Sequence, residues 1–210
     1  MIFHHFFWDY DGTLYDTYPR ITRAIIKTMQ VYGVEAGYDD LYPLLKRKFR
    51  RVWAAYLEPL GISYEEFMDT YHRFSELEPK DTMQLYPGAR EMLEAVVRGG
   101  GRNYLYTHRG KSALTYLERD GLMNLFTDFV TSQHNFPNKP APDALNYLCE
   151  KHGLDKETCV MVGDRDIDLD AGKNAGMACA LFDPEGYYPG YDTPHRFSDL
   201  HEMKKALADV

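Results

Sequence analysis

An aromatic-rich run near the start, Phe3 to Trp8, stops abruptly at Asp9, and Asp11 and Gly12 follow at once. An apolar run this short, closed by a turn signal, predicts a fully buried strand of the kind found inside parallel sheets. In open parallel α/β sheets, ligands bind just beyond the carboxyl ends of the strands. Asp9 and Asp11 are then delivered to the edge where such folds do chemistry. The competing reading is an ordinary strand-to-turn transition, for which Asp and Gly are equally suited.

The pattern after that strand first becomes helical and then alternates. From Tyr18 to about Leu77 apolar residues recur at helical spacing. One helix holds Ile21, Ile25, Ile26 and Met29 and is stopped by Gly33. A second is expected from about Asp39 to Leu57, with Pro43 in its first turns. A third opens at Ser63, with Glu66 three residues on as a capping box. From Pro87 onward, helices at 88–98, 110–120, 141–152 and 168–175 alternate with strands at 104–106, 126–130, 159–162 and 178–182. Ser198 is expected to cap a last helix ending near Leu207. Alternation of this kind predicts an α/β fold, a Rossmann-like parallel sheet with helices on both faces. Residues 1–15 and 84–210 would form that core, and the all-helical insert 16–83 a cap over the sheet's carboxyl edge.

Composition narrows the function classes. With 44% hydrophobic residues in 210, a real core is available and disorder is not expected. The net charge of -8 argues against a non-specific nucleic-acid partner. No apolar stretch is long enough to span a bilayer, and the start lacks the basic-then-apolar layout of a signal peptide. Cys149, Cys159 and Cys179 are odd in number and share no metal-type spacing, so small buried hydrophobes are expected. A cytoplasmic protein with no membrane partner is the expectation, with monomer and homodimer both open.

The residues standing just after the predicted strands converge on one edge. They are Asp9 and Asp11, then Thr107 and His108, then a loop carrying Lys139, then Asp164 with Asp168 four further on. Several carboxylates together repel unless a cation is present. Oxygen-only ligands suit a hard cation such as Mg²⁺. A hydroxyl and a lysine beside that metal describe a phosphate site.

In order, Asp9-Tyr10-Asp11-Gly12-Thr13-Leu14, a strand ending in Thr107, Lys139-Pro140 and Gly163-Asp164-Arg165-Asp166-Ile167-Asp168 resemble the four motifs of the haloacid dehalogenase superfamily. Within it, the chain is most similar to the phosphoglycolate-phosphatase-like branch with a small helical cap. The resemblance implies a Mg²⁺-dependent phosphatase of a small phosphorylated metabolite, with Asp9 as nucleophile and an aspartyl-phosphate intermediate. It implies Asp11 as general acid and base, and Mg²⁺ held by Asp9, Asp164, the Asp11 carbonyl and Asp168, directly or through water. Thr107 and Lys139 would hold the phosphoryl oxygens. Dehalogenases of the superfamily do not keep an Asp two places after the nucleophile, so Asp11 favours phosphate over halide. His108 replaces the usual asparagine and is a candidate for substrate contact. The alternatives are a phosphosugar mutase and a catalytically silent phosphate-binding regulator.

Other polar residues fit plainer roles. Asp166 and Asp170 are expected to be solvated, Asp166 in a loop. The basic run Lys46 to Arg51 is expected to be a solvated helix face, with attraction of an anionic substrate as the second reading. Asp16, Tyr18 and Arg20 are expected near a hinge into the cap, with substrate contact, a hinge role and helix capping all open.

Overall fold

The computed structural model describes residues 2–79 and 82–208. In chain order these form β1 (His5–Trp8), β2 (Tyr15–Asp16), α1 (Tyr18–Val31), α2 (Tyr38–Arg47), α3 (Phe49–Tyr56), α4 (Tyr64–Leu77), β3 (Gln84–Leu85), α5 (Ala89–Arg98), β4 (Arg102–Tyr106) and α6 (Ser112–Arg119). They continue with β5 (Phe126–Val130), α7 (Asp143–His152), β6 (Cys159–Gly163), α8 (Asp166–Ala175), β7 (Ala178–Phe182), β8 (His195–Phe197) and α9 (Leu200–Leu207). The chain divides into two compact units, Met1–Tyr15 with Leu85–Val210, and Asp16–Gln84.

The first unit is an α/β Rossmann-like core. Its sheet has six strands in the order β5-β4-β1-β6-β7-β8, and every neighbouring pair is parallel. Parallel neighbours cannot be joined by tight hairpins, so helices carry the crossovers, except from β7 to β8, where a loop does. Strand β1 is central, and Phe6, Phe7 and Trp8 are wholly buried. Each such side chain contributes about 1.5–3 kcal/mol by leaving water. Phe7 stacks on Tyr104 at 4.8 Å and shares a core with Met161 and with Leu145, Leu148 and Ala171 of α7 and α8. The buried Trp8 indole donates to Asn103 Oδ1 at 2.9 Å. The Asn103 amide in turn donates to Leu93 O and Leu125 O, at 3.0 and 3.1 Å. One core amide thereby ties α5 and the approach to β5 to the central strand.

The second unit packs α1, α2, α3 and α4 around Ile25, Met29, Leu41, Val52 and Phe67. Helix α1 buries Ile21, Ala24, Ile25, Thr28 and Met29, the spacing of one helical face. Ser63 Oγ accepts from Glu66 N at 3.1 Å and starts α4 as expected. The single helix expected from Asp39 to Leu57 is instead two. Lys48 is extended, at φ -163° and ψ 103°, and separates α2 from α3. The break re-aims Phe49, which meets Tyr71 at 5.1 Å and Phe67 at 5.8 Å. The basic run is not one solvated face either. Lys46 is buried with Nζ 4.3 Å from the centre of the Tyr18 ring, whereas Arg47, Lys48 and Arg51 are exposed. Arg20 is buried too, and donates to Ser75 O and to Pro79 O within this unit.

Three further differences from the sequence reading have simple causes. Strand β8 is short and polar and takes its place through edge pairing with β7, including a bond from Asp183 N to Phe197 O at 2.8 Å. Helix α9 is capped by Asp199, not Ser198, because the Asp199 carboxylate accepts from both His201 N and Glu202 N. Helix α8 begins at Asp166, which lies in its first turn and not in a loop. The three cysteines are buried and unpaired as disulfides. Among the described residues no helix is long and apolar enough to cross a membrane.

Candidate active site

Strands β4, β1 and β6 lie side by side, and the residue following each is Thr107, Asp9 and Asp164. Sheet-like pairing runs one residue past the strand ends. Asp9 N donates to Val162 O at 2.9 Å and Thr107 N to Val130 O at 3.0 Å. These side chains therefore leave a rigid edge. After Asp9 the chain closes a tight loop, in which Leu14 N and Tyr15 N both donate to Tyr10 O and Gly12 N donates to Tyr15 O. Gly12 sits at φ 81°, a conformation that disfavours a side chain, and so sets where Asp11 is presented.

The fourth acid arrives on α8. Asp168 Oδ2 accepts from Arg165 N at 3.1 Å, so its carboxylate caps the helix start. The helix comes so near β6 that a Cβ on Gly163 would lie 2.3 Å from the Asp168 Cβ. Lys139, from the loop before α7, enters between the acids. Its Nζ lies 2.6 Å from Asp9 Oδ1 and 2.8 Å from Asp168 Oδ1, and 4.6 Å from the centre of the Tyr106 ring. All three side chains are buried.

One ammonium cannot serve two buried carboxylates equally. Burial would raise Asp168, but Lys139 and Arg165 hold it below the usual carboxylate range. Asp9 is the loser: desolvation and the Asp168 charge raise it to about 7, against the pull of Lys139. Burial would lower Lys139, but Asp168 and Asp9 keep it above the ordinary lysine value. Asp9, Asp164 and Asp168 each offer a carboxylate oxygen, all within 4.8 Å of one another. Asp9 Oδ2 is buried and accepts no hydrogen bond among the described residues. An all-oxygen donor set, an excess of negative charge and a bare buried oxygen fit a hard divalent cation.

The remaining candidates form a rim. Thr107 Oγ1 accepts from Arg109 N at 3.0 Å. The Arg109 guanidinium forks onto Asp11, with Nη2 2.5 Å from Oδ1 and Nε 3.3 Å from Oδ2. His108 Nε2 accepts from Lys139 N at 3.1 Å, which places the ring proton on Nδ1. His108 keeps an exposed face, yet desolvation of the ring, with the Lys139 charge beside it, pushes its pKa down to about 4. Asp170 accepts from Tyr191 OH at 2.6 Å, and Asp166 Oδ1 from Ile167 N at 2.8 Å, so both are occupied locally. Two contributors escaped the sequence reading. Arg165 brings Nε to 3.9 Å from both Asp164 and Asp168, and its place between two motif acids was the signal. Tyr106, one residue before Thr107, reads as core yet faces the Lys139 ammonium.

The sequence profile of haloacid dehalogenase-like hydrolases matches residues 6–182. A phosphoglycolate phosphatase of Cereibacter sphaeroides is 30% identical, over 95% of each chain. One from Vibrio parahaemolyticus is also 30% identical, covering 83% of this chain and 80% of its own. Among solved structures, a hydrolase of Streptococcus pneumoniae superposes with a TM-score of 0.68 at 29% identity, over 99% of both chains.

Proposed function

Because the chain belongs to the haloacid dehalogenase-like hydrolases, and is a phosphatase among them, we propose that it hydrolyses a small phosphorylated metabolite through an aspartyl-phosphate on Asp9, with Mg²⁺ as cofactor. The observation that carries this reading is the Asp9 carboxylate itself, with Oδ1 fixed by Lys139 and Oδ2 bare in a buried site. A carboxylate held so is aimed, and only one oxygen is spoken for.

In the first step an Asp9 oxygen bonds to phosphorus as the bond to the ester oxygen breaks, and Asp11 gives that oxygen its proton. In the second, Asp11 takes a proton from water, whose oxygen attacks the same phosphorus and frees Asp9. General acid–base assistance of this kind is worth about 10²–10⁴-fold. Lys139 and Thr107 hold the phosphoryl oxygens, and the ammonium is worth more there than at the surface because it is buried. Asp9, Asp164, Asp168 and the Asp11 carbonyl would hold Mg²⁺, which when bound would neutralise charge between the two anions.

Phosphoglycolate is one substrate that suits this reading, since relatives are named for it. The test is phosphate release from a panel of phosphorylated metabolites. Release should require Mg²⁺, stop with chelator, and fall at least about 10⁴-fold in a folded Asp9→Asn variant. No release from any member of the panel overturns the reading.

A further inference from the structure

The candidate site is graded from floor to rim. The Asp9, Lys139 and Asp168 side chains are 4%, 0% and 0% exposed, whereas those of Arg109 and Asp11 are 17% and 25% exposed. In the proposed reaction the phosphoryl group goes to the floor and Asp11 meets the ester oxygen. The part of the substrate beyond that oxygen therefore lies on the rim, beside whatever is paired with Asp11. That partner is Arg109, through two donors.

Arg109 is well held from behind. Its N–H is bonded to Thr107 Oγ1 and its carbonyl accepts from Ser132 N at 3.1 Å. Its guanidinium carbon lies 5.3 Å from the centre of the buried Tyr10 ring. The Arg109 backbone is thus anchored at the rim, and its planar guanidinium suits a carboxylate or phosphate. Both Asp11 oxygens take Arg109 donors, so an ester oxygen approaching Asp11 competes with the guanidinium for that carboxyl. A partly exposed ion pair is worth little and exchanges readily.

We infer that Arg109 reads the leaving group: its fork moves from Asp11 to an anionic substituent carried next to the ester oxygen, so that binding such a substrate releases Asp11 for catalysis. The inference rests on the phosphatase reading. It selects phosphomonoesters whose leaving group bears its own carboxylate or phosphate, and anhydrides whose leaving group is a phosphate, over esters with a neutral leaving group.

The experiment compares kcat/KM for 2-phosphoglycolate, pyrophosphate and ethyl phosphate in wild type, Arg109→Met and Arg109→Lys. Wild type should favour the two anionic leaving groups. In Arg109→Met that preference should shrink by about 10–100-fold, the worth of one charge-assisted pair. Arg109→Lys, which keeps charge without the fork, should fall between and serves if the Met variant does not fold. A preference within about twofold of wild type in both variants overturns the inference, as does an equal loss on all three substrates. Failure of wild type to hydrolyse any phosphomonoester would overturn the phosphatase reading and this inference together.

Discussion

Gly163 and Asp168 approach so closely that a Cβ on the first would stand 2.3 Å from the Cβ of the second. The absence of a side chain at the end of β6 is what lets the first turn of α8 carry a carboxylate into the site. Gly163→Ala should push α8 away, lowering stability by about 1–3 kcal/mol as overpacking does. It should also weaken Mg²⁺ binding, read by calorimetry. A variant with wild-type stability and Mg²⁺ affinity would show that this approach is not needed.

Lys139 stands between two buried acids, so its removal should be sensitive to pH. The Asp9 carboxyl sits at about 7 in the folded protein against 3.8 as a free side chain. A carboxyl raised in this way favours the fold when protonated, and that advantage fades as pH rises from about 4 to about 7. Lys139→Met removes the ammonium that Asp9 and Asp168 share, so in chelator it should lose about 3–5 kcal/mol at pH 8. At pH 5, with Asp9 protonated, the loss should be clearly smaller. Urea unfolding at both values checks this, and equal losses would argue against the shared-ammonium account.

His108 offers the opposite sign. Its folded pKa is pushed down to about 4 from an ordinary 6.5, so the neutral ring is the one the fold prefers. Its contribution is full above about 6.5 and is lost as pH falls from there toward 4. His108→Asn keeps a potential acceptor for Lys139 N without a titrating ring, and should take away that rise, so stability gains less, or falls more, as pH increases from about 4 to about 6.5. An unchanged slope in chelator-treated protein would separate His108 from Lys139.

The Asn103 amide joins Trp8, Leu93 and Leu125 inside the core. Asn103→Leu fits the volume but strands one donor and two acceptors, so a loss of more than about 2 kcal/mol is expected. A smaller loss on urea unfolding would mean that the neighbouring backbone finds other partners.

Much of the architecture is legible because parallel strands announce themselves. Phe6-Phe7-Trp8 and Cys159-Val160-Met161-Val162 are buried on both faces and read as continuous apolar runs. Strand β8 is polar, His195-Arg196-Phe197, and only its neighbour makes it a strand. The break at Lys48 has no Gly or Pro to mark it, since tertiary contacts of Phe49 cause it. Spacing likewise brings acids to strand ends but not into pairs. Asp9 and Lys139 are 130 positions apart, and Asp11 and Arg109 are 98 apart. The sharing of one ammonium by Asp9 and Asp168, and the forked Arg109, exist only once the sheet order is known.

Everything proposed for the site turns on Asp9 forming a bond to phosphorus. The direct measurement is rapid acid quenching of the enzyme during turnover with Mg²⁺, followed by mass spectrometry of the peptide that contains Asp9. A phosphoryl adduct on Asp9, formed and lost at rates matching kcat and absent in Asp9→Asn, is the result expected. Phosphate release at full rate with no adduct on that peptide, or full kcat in Asp9→Asn, would contradict it.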